Sequence, residues 1–225
     1  MPCSANCSPI DRAVEEHRII VPRTARYYTL GEAVTTSELW LVLHGYGQLA
    51  RYFLRPFEGL EQNRLIAAPE ALSRFYTDEA HSRVGATWMT REDREAEIAD
   101  QGTYLNTLAA ALLAPCRPGT PLNVLGFSQG VATACRWTLR STTPIRRLVL
   151  WSGSMPPEME AGTMRGAWSG SKITLVHGEH DLVTTEEVLQ RNTKHLREAG
   201  LAHGTLRFNG GHQLDRVALG KVLDP

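Results

Sequence analysis

The chain has 225 residues, a length that suits one globular domain with a sizeable core. Lys plus Arg number 24 and Asp plus Glu number 24, so there is no basic surplus to hold a phosphate backbone and no acidic surplus to make a solvating tail. Nucleic acid is therefore not an expected partner. With 42% apolar and 21% charged residues the chain can offset its ordering entropy, and no run approaches the about 18 apolar residues of a membrane span.

Residues 1–17 carry Asp11, Arg12, Glu15 and Glu16 where a signal peptide needs an apolar run, so a flexible N-terminal tail and a cytoplasmic address are expected. Cys3 and Cys7 fall in this tail, Cys116 and Cys135 further on; without close-spaced CxxC pairs they read as reduced thiols. Strand-length apolar runs follow at 18–21, 39–43, 64–68, 122–125, 145–151, 173–176 and 205–208. Several are too uniformly apolar for a sheet with one wet face and read as central strands covered on both sides. Between them lie helix-length segments at 50–62, 93–114, 128–141, 184–199 and 213–222. Thr184 and Glu187 stand at capping-box spacing and mark a helix start. Strand and helix alternating in this way imply an α/β fold, a mostly parallel sheet with helices on both faces. Ligands in such sheets sit beyond the carboxyl ends of the strands.

At those ends the chemistry is concentrated. The strand at 122–125 runs into Gly126-Phe127-Ser128-Gln129-Gly130 and then a small-residue helix, a G-x-S-x-G turn that would expose the Ser128 hydroxyl over a helix N-terminus. A serine hydroxyl needs a base within hydrogen-bond reach, and the base needs an orienting group. Asp181 follows the strand at 173–176 and His212 the strand at 205–208, giving the chain order nucleophile, acid, base. Two main-chain donors would serve a developing oxyanion without adding a titratable group, and the amides of Tyr46 and Gln129 are placed for this. Their side chains are then expected to be replaceable at small loss. His44, just before Gly45 at a strand end, reads as a loop brace.

With these residues the chain resembles the α/β-hydrolase superfamily, and within it the phospholipase/carboxylesterase family that includes the acyl-protein thioesterases. The likeness runs from about residue 36 onward through Leu43-His44-Gly45-Tyr46-Gly47, Ala68-Pro69-Glu70, the Ser128 turn, Trp151-Ser152-Gly153, His177-Gly178-Glu179-His180-Asp181 and Gly211-His212. The resemblance implies a cofactor-free serine esterase or thioesterase without a large cap domain, acting on a small-molecule or lipid-like acyl ester. The acyl-protein thioesterases usually have Leu-Gly-Asp where this chain has Tyr46-Gly47-Gln48, so the resemblance does not extend to protein depalmitoylation. Trp88 matches the family's tryptophan-bearing loop and would wall the acyl pocket. The stretch 152–171, with Met155, Met159, Met164 and Trp168, reads as a short flap near that pocket.

Two other classes remain open from sequence. His177, His180 and Asp181 form a dense cluster that a metal-dependent hydrolase could use. A non-catalytic binding protein of the same fold is the other, although such a chain would be expected to have lost one of Gly126, Ser128, Gly130, Asp181 and His212.

Overall fold

The computed structural model describes residues 14–224. Its centre is a seven-stranded sheet in the order β1-β3-β2-β6-β7-β8-β9. These strands are β1 (Tyr27–Leu30), β2 (Glu38–Leu43), β3 (Arg64–Pro69), β6 (Leu122–Phe127), β7 (Ile145–Trp151), β8 (Lys172–Gly178) and β9 (His203–Phe208). Every pairing is parallel except β1 with β3. A separate antiparallel hairpin joins β4 (Ser73–Tyr76) to β5 (Val84–Thr87). The α/β arrangement expected from the alternation of segments, that of the α/β-hydrolases, is the one observed.

Both faces of the sheet are covered because its central strands are apolar on both. On one face, Leu39, Leu41 and Leu43 of β2 belong to a core cluster shared with α2 (Arg94–Leu113), α3 (Gln129–Thr138), α4 (Ala161–Trp168) and α5 (Glu186–Glu198). Trp40 and Val42 point the other way, to α1 (Ala50–Phe53) and α6 (Arg216–Leu223). All six β2 residues are buried, as a doubly covered strand requires. At the end of the sheet away from the Ser128 turn, Glu38 is buried among Arg64, Arg147, Trp40 and Asn123, which together supply the donors a buried carboxylate needs.

Four local expectations are corrected. Residues 18–21 form no strand: Ile19 and Ile20 lie exposed, since an apolar run becomes a strand only where a neighbour pairs with it. The segment 50–62 is a four-residue α1 followed by a 3₁₀ turn at Arg55–Phe57, because Pro56 has no N–H to continue the α-helical ladder. Helix α5 begins at Glu186 with no side-chain cap, since the Thr184 hydroxyl is spent on Ser152 O at 2.9 Å. The 152–171 stretch is not a flap. It contains α4, whose Met164 and Trp168 sit one turn apart on a single face and are buried in the main core, with Met155 beside them.

Among the described residues no helix is long and apolar enough to cross a membrane. Cys116 and Cys135 are free thiols, and burial pushes both upward in pKa, Cys135 well out of the usual thiol range. Cys3, Cys7 and the greater part of the expected tail lie outside the described residues.

Candidate active site

The turn from β6 into α3 places Ser128 at φ 54° and ψ −118°, a conformation a residue with a Cβ holds only when its surroundings enforce it. They do so through Ser128 N–H, which donates to Trp151 O at 2.9 Å, and Val131 N–H, which donates to Ser128 O at 3.0 Å. The flanking glycines are dictated by contact. A Cβ on Gly126 would stand 2.4 Å from Gly130 O, and one on Gly130 would stand 2.3 Å from Leu43 O. Their absence lets the start of α3 press against the end of β2, which brings the loop after β2 beside Ser128.

Two loops at the far side of the sheet complete the group. Glu179 N–H donates to Phe208 O and His180 N–H to Gly210 O, at 3.0 and 2.9 Å, so the ends of β8 and β9 are tied together and Asp181 meets His212. His212 Nδ1 lies 2.8 Å from Asp181 Oδ2, and His212 Nε2 lies 2.9 Å from Ser128 Oγ. With Nδ1–H donating to the carboxylate, Nε2 is left as the acceptor for the serine hydroxyl. The imidazole is partly open to solvent, whereas the Asp181 side chain is fully covered. Burial alone would raise the Asp181 carboxyl, but the Thr184 N–H, the His212 ring and the Val183 N–H together hold it below the usual carboxylate range. An ionised, fixed acid behind a histidine is what orienting that histidine requires.

The loop after β2 presents the Tyr46 amide. It is braced on three sides: Gly45 N–H donates to Gln48 Oε1 at 2.8 Å, Gly47 N–H to Ala86 O at 2.9 Å, and Ala86 N–H to Gln48 O at 3.2 Å. Beneath it His44 has no exposed surface. Its Nδ1 donates to Gly45 O at 2.7 Å and its Nε2 accepts from Ala71 N–H at 3.1 Å, a pattern that fits the neutral ring. Burial depresses the His44 pKa to about 4, so it stays uncharged at neutral pH and acts as the brace its position suggested. Among the described residues, neither the Tyr46 nor the Gln129 amide donates to another protein group.

Trp88 and Met155, expected on a pocket wall, are fully and almost fully buried. Removal of their apolar bulk from water is better satisfied inside the core than at a site mouth. Trp88 Nε1–H donates to His44 O at 2.8 Å, and Met155 N–H to Asn192 Oδ1 at 3.0 Å, so both brace loops beside Ser128. The side chain of Gln129 is also engaged. Its Oε1 accepts from Trp88 N–H at 3.1 Å and its Nε2 donates to Met89 O and Thr87 Oγ1, both at 2.9 Å. Replaceability of that side chain is therefore no longer expected. The bracing roles of Gln48 and Thr184 are not legible in the sequence either, because a polar side chain that holds a loop leaves no distinctive local pattern.

The histidines of the 177–181 segment diverge. His177 is buried with Nε2 facing Glu186 Oε2 at 3.9 Å, His180 is exposed, and both oxygens of Asp181 are already bonded. Among the described residues no three His, Cys, Asp or Glu side chains are grouped as metal ligands would be.

Residues 33–224 match the model of the phospholipase/carboxylesterase family. The chain belongs to this family. Solved structures agree on the fold of the family member. The esterase PE8 superposes with a TM-score of 0.69 at 21% identity, covering 90% of this chain and 97% of that one. Acyl-protein thioesterase 2 of Zea mays follows with 0.66 at 21% identity and coverage of 89% and 97%. The carboxylesterase of Bacillus cereus gives 0.65 at 16% identity, with coverage of 89% and 92%. A search of curated proteins returns no match. Gln48 offers a neutral amide oxygen to Gly45 N–H, so the loop is held without a carboxylate.

Proposed function

We propose that this family member is a serine hydrolase that cleaves carboxylic ester or thioester bonds through an acyl-enzyme intermediate. The observation that carries the reading is the unbroken chain of contacts from Ser128 Oγ through His212 to Asp181, at 2.9 and 2.8 Å. Ser128 Oγ attacks the substrate carbonyl carbon as its proton passes to His212 Nε2. The negative charge that develops on the carbonyl oxygen is received by the Tyr46 and Gln129 amides, which are fixed in advance by the braced loop and by the start of α3. Collapse of the tetrahedral species expels an alcohol or thiol, which takes the proton back from the imidazolium. Water, activated by the same imidazole, then releases the acid and regenerates Ser128.

The substrate reading is an acyl ester, small or lipid-like. Support comes from exposed apolar side chains on the two loops that frame Ser128. Tyr46 lies open and packs at a tilt against Phe75 with ring centroids 5.1 Å apart, and Leu182 and Val183 stand exposed directly after Asp181. A fluorophosphonate probe tests the proposal, since it reacts with an activated serine. Labelling of the folded protein on Ser128, lost in Ser128→Ala and His212→Ala, is the expected result. Folded protein that resists the probe and does not hydrolyse p-nitrophenyl acetate would overturn it in favour of a non-catalytic role.

A further inference from the structure

Two buried polar atoms behind the acid loop have no protein partner. Ser152 is 2% exposed and His177 is 4% exposed, yet among the described residues neither Ser152 Oγ nor His177 Nδ1 makes a hydrogen bond. The two residues are neighbours across parallel strand ends: Trp151 pairs with Val176, and Ser152 N–H donates to Val176 O at 2.8 Å. Both line one small cavity under α5, together with Leu150, Leu175, Leu189 and Asn192. Its room for water centres is about 10 Å³, close to that of one molecule.

Among the described residues, the polar side chains on the cavity wall bond elsewhere and none bonds these two atoms. Asn192 spends Nδ2 on Gly153 O at 2.8 Å and Oδ1 on Met155 N–H at 3.0 Å. The Thr184 hydroxyl is spent on Ser152 O at 2.9 Å. The remaining wall is apolar. A buried polar atom without a partner is costly, and natural folds meet that cost with a bound water where the site is polar and large enough.

We propose that this cavity is a specific hydration site in which one buried water bridges Ser152 Oγ and His177 Nδ1. His177 Nε2 faces Glu186 Oε2, which favours the tautomer with hydrogen on Nε2 and leaves Nδ1 as an acceptor. The water donates to Nδ1 and accepts from the Ser152 hydroxyl, so each atom gains the partner it lacks. The site has a structural consequence for the loops above it. Ser152 holds a left-handed φ of 44°, and its carbonyl anchors Thr184, whose N–H bonds Asp181 Oδ1 at 2.8 Å. The water thus supports the strand end from which the acid loop hangs, whatever bond the enzyme cleaves.

The test is a crystal structure of the wild-type protein at about 1.5 Å, with a thermal double-mutant cycle on Ser152→Ala and His177→Leu. An ordered water within about 2.6–3.2 Å of both atoms is expected. In the cycle, the double variant should melt no lower than the worse single variant, because either substitution already removes the bridge. A dry cavity, a direct Ser152–His177 hydrogen bond, or losses in melting temperature that simply add would each overturn the proposal.

Discussion

Replacing Gly130 by alanine tests the packing that sets the whole site. In an ordinary helix this change stabilises, because glycine costs about 1 kcal/mol relative to alanine. At Gly130 the new Cβ would stand 2.3 Å from Leu43 O and 2.7 Å from His44 O, against an ordinary contact of 3.4 Å or more. Both obstacles are main chain, so no side chain can swing aside, and β2 and α3 must part by about 1 Å. Overpacking of this kind costs about 1–3 kcal/mol, so net destabilisation of about 1 kcal/mol remains after the helix gain. The catalytic loss should be larger. The displaced carbonyls lead directly into Gly45 and Tyr46, and an error of about 1 Å between Ser128 and the Tyr46 amide is worth about a hundredfold in kcat. The control is Gly166→Ala in α4, where the added Cβ meets nothing within 4 Å and stability should rise. Urea unfolding followed by tryptophan fluorescence and steady-state hydrolysis of p-nitrophenyl acetate measure both effects. A Gly130→Ala protein with wild-type kcat and an unchanged or raised urea midpoint would refute the reasoning.

Ser128→Ala and His212→Ala should each abolish nearly all ester hydrolysis, with the double variant scarcely worse, since the pair acts as one unit; multiplicative losses in kcat/KM would contradict it. Gln129→Ala keeps its amide yet frees the 87–89 loop from its hydrogen bonds, so kcat should fall by about tenfold or more while the protein stays folded, and a wild-type kcat would show that this brace is idle. His44 titrates at about 4 when folded against about 6.5 when unfolded, a lowered value, so its contribution is complete above pH 6.5 and is lost as pH falls toward 4. The difference amounts to about 3 kcal/mol; urea midpoints at pH 7 and pH 4.5 should diverge more for wild type than for His44→Gln, and parallel losses would contradict the assignment. Chelation by EDTA should leave hydrolysis unchanged, and a loss restored by Zn²⁺ would return the 177–181 cluster to consideration.

Local order along the chain is enough to nominate Ser128, Asp181 and His212, because each stands within four residues of a strand's carboxyl end and the G-x-S-x-G turn has a steric requirement that involves only its own neighbours. The parallel sheet was legible for the same reason, since doubly buried strands carry a near-continuous apolar run. Other features depended on what the chain meets elsewhere. The apolar run at 18–21 pairs with no strand, while 27–30 forms one of the two edge strands because β3 offers it a partner. The burial of Trp88 and Met155 and the bracing by Gln129 rest on contacts between segments far apart in sequence. A residue's type and its immediate neighbours limit the conformation and chemistry available to it. Which surface covers it, and which donor lies within 3 Å, depends on elements brought together only by the assembled sheet and its helices.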